Sequence, residues 1–418
     1  MTDRDTRGLL PLLTAAMAIG PLLTYGLSAT SALVIDSLDI TVAQFGMLAT
    51  LTFLTAAALA LAFSHVGDHF STRGLLVTVF VGAAMSYVLA ALSTNYLWLL
   101  GAMALSGAAQ ALSNPVTNRV ISERAPQPKR AQWIGVKQSG VQVAQLVAGA
   151  GCPVLALAWG WRGALWIGAV VAGASALVAW RRSPSSHSPH SPQASKQVAT
   201  SVNALRTTGS RARSMPRAVW VLAAYALFSG TGVQATNVYL PLFALEGMGL
   251  TLTAAGLTAA IAGAIGVTSR IFWGRALSGK IDTFVLLLIL ASGSTLGALA
   301  LLMAQLVGWL PLLWLGVTLH GATALAANVL LMAGVLRVVG TTAVGRASSL
   351  IAVGMYLGFA GGPALTGFLF DVTAGFAAGW MVAAMMYAAC ALLCIWGVRT
   401  TPADMEPAMP VEADRLTR

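Results

Sequence analysis

The stretch from residue 283 to residue 336 reads TFVLLLILASGSTLGALALLMAQLVGWLPLLWLGVTLHGATALAANVLLMAGVL and contains no Asp, Glu, Lys or Arg. A helix needs about 20 apolar residues to cross roughly 30 Å of hydrocarbon. This stretch is long enough for two crossings, and Gly308 to Pro311 near its middle supply a turn. In lipid a helix satisfies its backbone hydrogen bonds internally. The stretch therefore predicts two membrane-spanning helices.

Similar charge-free stretches recur along the whole chain. The stretch 74–118 is also of double length, and Ser93-Thr94-Asn95 interrupt it near its middle. The others are 8–35, 40–67, 138–161, 163–180, 218–245, 247–269, 347–370 and 372–398. Counting each double stretch as two helices, the sequence predicts twelve membrane-spanning helices.

The composition excludes an ordinary soluble domain, because 57% of the residues are hydrophobic and only 9% are charged. The net charge of +11 is distributed unevenly. Nearly all Lys and Arg residues occupy the two tails and alternate connections, namely Arg73, 119–130, 181–217, 270–280 and 337–346. The opposite connections hold Asp36, Asp39, Glu246, Asp371 and Arg162. This asymmetry predicts cytoplasmic termini and contact with anionic lipid, and it implies no nucleic-acid partner.

One segment interrupts the hydrophobic pattern. Residues 183–217 are basic and rich in Ser and Pro, which is typical of a disordered linker. The predicted organisation is an N-terminal six-helix bundle (1–182), this cytoplasmic linker, a C-terminal six-helix bundle (218–399) and a cytoplasmic tail (400–418). The bundles resemble each other: ITVAQFG opens helix 2 at residue 40, and LTLTAAG opens helix 8 at residue 250. Internal duplication is the usual construction of a secondary transporter.

The connection between helices 2 and 3 reads SHVGDHFSTR over residues 64–73. It resembles the signature loop of the major facilitator superfamily, Gly-x-Leu-Ala-Asp-Arg-x-Gly-Arg-Arg, with Asp68 and Arg73 kept. Residues 160–162 (GWR), 239–242 (YLPL) and 358–363 (GFAGGP) are similar to the same family. The resemblance implies an all-α integral membrane protein with 12 transmembrane helices in two pseudo-symmetric bundles. It also implies a multi-pass protein of a bacterial inner membrane.

The same resemblance implies a gate on the cytoplasmic side. Asp68 at the mouth of helix 2 can meet the positive end of a helix from the other half or a nearby arginine. Arg73 and Arg119 are the arginines assigned to this switch; the alternative is that these are ordinary charges beside the membrane.

Two departures from the family pattern argue against a typical drug–proton antiporter. Met103 stands where that group has an intramembrane arginine in helix 4. In helix 5, Cys152 replaces a glycine of the group's motif.

In this superfamily helices 1, 4, 7 and 10 line the central cavity, with helices 2, 5, 8 and 11 beside them. Polar side chains there face the protein interior or water. The candidate substrate-binding residues are Tyr25, Gln110, Asn114, Gln142, Gln234, His320 and Asn328. The alternative is a hydrogen bond that only holds helices together. That alternative is favoured for Asn118, Gln145 and Asn237, and both interpretations stay open for Asn114, Gln142, Gln234 and Asn328.

Lys137 is the one charge that the pattern places plainly inside a helix, close to the cytoplasmic start of helix 5. One interpretation, which we favour slightly, is that it extends to the membrane interface; the other is that it attracts an anionic substrate. His320 is either a structural hydrogen-bonding residue or a titrating one. None of the 13 acidic residues falls well inside a span, so a carboxylate proton relay is missing.

These features favour a symporter or permease that takes up a small organic anion, such as a carboxylate, with a proton. Exchange of two solutes and facilitated diffusion remain open. The alternatives are drug or metabolite efflux by proton antiport and, in another class, a non-transporting receptor or scaffold. The sequence has no Walker loop, metal-ligand spacing or buried acid pair, so we predict no enzyme, metal or cofactor. The expected partners are a small-molecule substrate, membrane lipid and a proton, and the expected state is a monomer.

Overall fold

The computed structural model describes residues 8–62, 71–182, 215–277, 281–338 and 344–400. Over these ranges the regular structure is helical throughout and contains no strand. Asp68, almost all of the expected linker at 183–217 and the tail from residue 401 lie outside the described residues.

Twelve helices cross the molecule, numbered here in chain order. In the described ranges, eleven helical stretches are long and apolar enough to span a membrane, and the longest, Gln132–Arg182, contains two of the helices. The helices are α1 (Leu9–Ala29), α2 (Val42–Ala62), α3 (Thr72–Ala91), α4 (Tyr96–Arg124), α5 (Arg130–Gln138 and 140–158), α6 (161–182), α7 (Arg217–Leu242), α8 (Leu252–Leu277), α9 (Thr283–Val307), α10 (Leu310–Ala322 and Ala327–Val338), α11 (Val344–Thr373) and α12 (Ala377–Thr400).

Local sequence chemistry explains where the double stretches divide. Asn95 caps α4, because its side-chain oxygen accepts a hydrogen bond from the backbone N–H of Trp98 at 3.0 Å. Gly308 ends α9 in the left-handed conformation with φ 70°, and Pro311 lies in the first turn of α10. Both predicted interruptions are confirmed. The break between α5 and α6 falls at Trp159 and Gly160, where Gly160 has φ 69°.

The connections form two faces. We call the side that carries Asp36, Asp39, Glu246 and Asp371 the acidic face, and the opposite side, where α1 begins and α6 ends, the basic face. Helices α1 to α6 form one half and α7 to α12 the other. Helix α2 begins at Val42 and α8 at Leu252, 210 residues later, as the predicted duplication requires.

The halves meet along two seams of equivalent helices, α2 with α11 and α5 with α8. Small residues let the backbones touch there. A Cβ added to Gly149 of α5 would lie 2.5 Å from the carbonyl oxygen of Gly256 in α8, and the reverse distance is also 2.5 Å. Only glycine permits such an approach.

Hydrogen bonds close the acidic face between the halves. The Tyr239 hydroxyl of α7 lies 3.0 Å from the Val42 carbonyl oxygen and 3.1 Å from that of Pro363. The backbone N–H of Ala43 lies 3.3 Å from both carboxylate oxygens of Asp371. An acidic side chain from the second half thus sits at the positive end of α2.

Candidate functional site

Helix α5 presents a stripe of three glutamines toward the second half. Gln138, Gln142 and Gln145 are spaced so that they share one helical face. A Cβ added to Gly266 of α8 would lie 2.9 Å from the Cγ of Gln142, which fixes Gln142 in the α5–α8 seam. The candidate site is built around this stripe, with one polar cluster toward each face.

The cluster toward the basic face is centred on Lys137. Its side chain is 0% exposed. The Nζ atom donates to the side-chain oxygen of Asn114 at 2.7 Å and to the Thr117 hydroxyl at 2.8 Å, and it lies 3.4 Å from the Asn114 carbonyl oxygen. Gln138 donates to the same Asn114 side-chain oxygen at 3.2 Å.

This geometry corrects the interpretation that Lys137 extends to the interface. The side chain turns inward and packs against α4, because three oxygen atoms on that helix accept hydrogen bonds from its ammonium group. Over the described ranges, no carboxylate lies within hydrogen-bonding distance of Lys137. Asn114 itself is exposed, so the polar cluster has an opening.

Helix α5 is interrupted immediately after Lys137. The N–H groups of Gln142 and Val143 both donate to the Ser139 carbonyl oxygen at 3.0 Å. The Gln138 carbonyl therefore lacks the hydrogen bond that the N–H of Gln142 would donate in a regular helix. The freed Gln138 carbonyl accepts a hydrogen bond from Nη1 of Arg270 in α8, at 3.0 Å. A charged side chain from the second half thus donates to a backbone carbonyl that the helix break in the first half leaves without its usual partner.

Helix α10 is interrupted too, by a 3-10 turn at Ala324–Ala326. Donors from α8 satisfy three carbonyls in this region. Ser269 Oγ donates to Gly321 at 2.9 Å, Trp273 Nε1 to Ala322 at 2.8 Å and Arg270 Nε to Leu325 at 3.1 Å. Arg270 therefore joins the break in α10 to the break in α5.

Sequence reasoning missed Arg270, which it assigned to the basic connection 270–280. The structure extends α8 to Leu277 and places Arg270 inside the helix, half-buried. The available signal was the apolar pair Ile271 and Phe272, which continues the helix beyond the arginine. A charge that ends an apolar run is not always outside the membrane.

The cluster toward the acidic face crosses the seam between the halves. The Asn237 side-chain oxygen of α7 lies 3.1 Å from Gln145 Nε2 and 3.0 Å from His320 Nε2, while Asn237 Nδ2 donates to Gln234 at 2.8 Å. An amide oxygen only accepts, so His320 carries a proton on Nε2 in this arrangement. Gln145 and Asn237, which the sequence associated with helix packing, make these bonds.

The remaining predicted residues make no hydrogen bond to either cluster within the described chain. Tyr25 is buried on α1 against α5. Gln110 is half-buried on α4, where its side chain packs against Gly20 of α1 and bonds to Ser106 at 3.3 Å. The side-chain oxygen of Asn328 is buried and meets no hydrogen-bond partner in the part of the chain that the structure describes.

Of the predicted gate, two arginines fall within the described residues. The guanidinium of Arg73 lies 5.8 Å from the ring centre of Trp180, and Arg119 pairs with Glu123 of its own helix at 3.0 Å. Asp68 is outside the described residues.

The chemistry of the site is that of hydrogen bonding and positive charge. Lys137 and Arg270 are the cations, Asn114 and the glutamine stripe supply amides, and Tyr25 supplies a hydroxyl. No three His, Cys, Asp or Glu side chains in the described part of the chain are grouped so that they could hold a metal ion.

Comparison with known proteins agrees with this architecture. An uncharacterized transporter, YgaY of Escherichia coli O157:H7, is 29% identical over 160 residues, which is 38% of this chain and 37% of that protein. The match thus spans little more than a third of the length of that relative.

Two solved structures share the fold. A bacterial homolog of the human lysosomal transporter Spinster, in an inward-facing and occupied conformation, gives a TM-score of 0.74 at 16% identity and covers 96% of this chain and 98% of its own. The nucleoside transporter NupG gives a TM-score of 0.71 at 14% identity and covers 93% of this chain and 99% of its own.

The family model of the Major Facilitator Superfamily matches residues 12–341, which is most of the chain. That family consists of transporters and not of enzymes. With twelve helices in two equivalent halves and a polar site between them, this chain belongs to the Major Facilitator Superfamily.

Proposed function

We propose that this chain is a secondary transporter that carries a small organic anion, such as a carboxylate, across a bacterial inner membrane by alternating access, with a proton as the coupling ion. The observation that carries the proposal is Lys137. It is a fully buried cation with polar acceptors but no carboxylate partner among the described residues.

A buried charge without a counter-charge is costly. Dipoles from Asn114 and Thr117 stabilise the ammonium group in place, but they leave its net charge uncompensated. In a low-dielectric surrounding that charge acts over several ångströms. An anion that enters beside the exposed Asn114 would gain this interaction, whereas a cationic solute would be repelled.

The arrangement of the halves supports alternating access. Hydrogen bonds between the halves cluster at the acidic face, where Tyr239 and Asp371 close the seams. Among the bonds that join two described residues, the inter-half bond nearest the basic face runs from Arg270 to Gln138, roughly 11 Å from that end of the helices at 1.5 Å per residue. We infer that the basic face is cytoplasmic, as the charge asymmetry indicates, and that the site opens toward it.

His320 is the residue we assign to proton coupling. It is 3% exposed and joins α10 to α7 and, through Asn237, to α5 of the other half. A second proton on its ring would add a charge to a contact between the halves. Protonation of His320 would therefore shift the equilibrium between the two conformations.

The test is uptake of labelled small carboxylates into proteoliposomes, with and without a proton gradient. Lys137→Met, which keeps length and removes the charge, should lower the uptake about tenfold or more, since a unit charge roughly 6–10 Å away at an effective dielectric constant of about 20 attracts an anion by roughly 2–3 kcal/mol. Lys129→Met is the matched control, because Lys129 is exposed just before α5. It should leave uptake unchanged.

The other candidate functions give different outcomes. Efflux of drugs by proton antiport predicts movement of cationic or neutral drugs that Lys137→Met does not impair. A receptor or scaffold predicts no flux of any solute. Either result would refute anion transport.

A further inference from the structure

The two cations of the site differ in how many hydrogen-bond donors they have left. All three N–H groups of Lys137 are accounted for by Asn114 and Thr117. A guanidinium has five N–H groups, and Arg270 uses two of them, on the carbonyls of Leu325 and Gln138. In the described structure its other three have no protein partner. Arg270 is thus the cation that can bind a ligand directly.

The position of Arg270 is set by the direction of its helix. Side chains on a helix lean toward its N-terminus. On α8 this brings the guanidinium from residue 270 toward Gly266, one turn earlier. Gly266 is also where the Gln142 side chain of α5 packs, since its Cγ would lie 2.9 Å from an added Cβ. Because its Nη1 donates to the Gln138 carbonyl, the guanidinium lies within about one helical turn of Gln142 on α5.

Tyr25 completes the surroundings from the first helix. It leans toward the basic face, because α1 begins there, and it packs against Ala144 of α5, two residues after Gln142. Its hydroxyl has no hydrogen-bond partner within the described chain. Arg270 and Tyr25 thus offer donors from opposite halves of the protein, and a carboxylate accepts such donors in a charge-assisted bond.

The glutamines nearby lack donors rather than acceptors. The side-chain oxygens of Gln142 and Gln145 are buried without a hydrogen-bond partner among the described residues, and the two residues are 2% and 0% exposed. A buried acceptor without a donor is costly, so such groups normally indicate a missing partner. A plain carboxylate cannot supply one, because it has no N–H or O–H. A ligand that carries a hydroxyl or an ammonium group can.

We propose that Arg270, Tyr25 and Gln142 form a subsite for a carboxylate that carries a hydrogen-bond donor next to it, as in a hydroxy acid or an amino acid. Arg270 and Tyr25 bind the carboxylate, and the oxygen of Gln142 accepts from the adjacent hydroxyl or ammonium group. This subsite rests on the proposed transport of an organic anion and narrows its substrate class.

The test measures binding to the purified full-length protein by calorimetry, with pairs of probes that differ in one group. Lactate with propionate and malate with succinate differ in a hydroxyl, and alanine with propionate differs in an ammonium group. The substituted member of at least one pair should bind about tenfold tighter or more, because the unsubstituted member leaves the glutamine oxygen unpaired.

Two variants distinguish the residue that binds the hydroxyl or ammonium group from the residue that binds the carboxylate. Gln142→Met should remove the preference for the substituted acid and leave binding of the unsubstituted acid within about twofold. Arg270→Gln should weaken both members of the pair about tenfold or more. Gln305→Met in α9 is the control, because that glutamine oxygen is also buried without a partner but lies away from the seam. It should change neither value.

The outcomes distinguish the two levels of the proposal. If carboxylates are bound and transported but each pair binds equally, or if Gln142→Met keeps the preference, the subsite is wrong and anion transport stands. If Arg270→Gln does not fold, Gln142→Met alone decides. If no carboxylate of the panel binds or moves while other solutes do, both proposals fail.

Discussion

At the scale of single residues, Tyr239 is the side chain that ties the two halves most directly. Its hydroxyl lies within 3.1 Å of carbonyl oxygens from both halves, Val42 and Pro363, and the residue is 0% exposed. A Cβ added to Gly46 or Gly367 would overlap this hydroxyl, so glycines on α2 and α11 make room for it. In the proposed alternating-access cycle, the bond from Tyr239 to Val42 breaks when the acidic face opens.

Tyr239→Phe should therefore weaken the closed state by ~1 kcal/mol, the net worth of one buried hydrogen bond. A cysteine placed at Ser28 of α1, whose hydroxyl bonds to the Val238 carbonyl of α7 between the halves at 2.7 Å, reports the opening. In a background without the three native cysteines, its labelling rate should rise about fivefold.

Tyr225→Phe is the matched control for this variant. The Tyr225 hydroxyl is equally buried and bonds to the Leu287 carbonyl at 3.2 Å, but both residues belong to one half. An equal rise in labelling for both variants would mean that Tyr239 stabilises the fold and not the closed face.

At the scale of helices, α7 and α11 show how small residues set the packing. Added Cβ atoms on Gly354, Gly358 and Gly362 of α11 would strike the carbonyl oxygens of Ala223, Leu227 and Thr231 of α7. Each set advances by four residues, so the helices run side by side in the same direction. This is the spacing at which small residues let helix backbones approach closely in membranes.

Gly358→Ala should destabilise the protein by ~1–3 kcal/mol, because a backbone oxygen cannot move aside for the added methyl group. Gly361→Ala on the same helix is the control, since an added Cβ there meets nothing within 4 Å. Thermal unfolding in detergent measures both. Equal unfolding midpoints would show that α7 and α11 do not pack as described.

At the scale of the whole molecule, two seams hold the halves together, and the acidic face carries the closing bonds. The α5–α8 seam continues toward the basic face as far as Arg270 and Gln138. Within the site, Asn114 is exposed, whereas Ser28, nearer the acidic face, is 2% exposed. This difference supports the proposed opening of the site toward the basic face.

A labelling experiment tests this polarity. In the cysteine-free background, Asn114→Cys should react with a membrane-impermeant thiol reagent in inside-out vesicles and not in intact cells. Ser28→Cys should react in neither while the acidic face stays closed. Reaction of Asn114→Cys from outside intact cells would reverse both the proposed orientation and the proposed open side.

The sequence by itself determined the number of helices, the points at which the two double stretches divide, and the duplication. Charge-free length decides whether a segment crosses a membrane, and Asn95, Gly308 and Pro311 act through local backbone chemistry, so neither depends on neighbouring helices. The sequence also identified the amides of α4, α5 and α7 as candidates, because polar side chains in lipid must turn inward.

Only the tertiary structure decided which polar groups meet. The inward turn of Lys137 follows from Asn114 and Thr117 on another helix, and the role of Arg270 follows from carbonyls freed at breaks in α5 and α10. The rotation of each helix and the carbonyls left free at a break depend on packing between helices distant in sequence. The spacing of residues along one helix does not predict which side chains of other helices they contact.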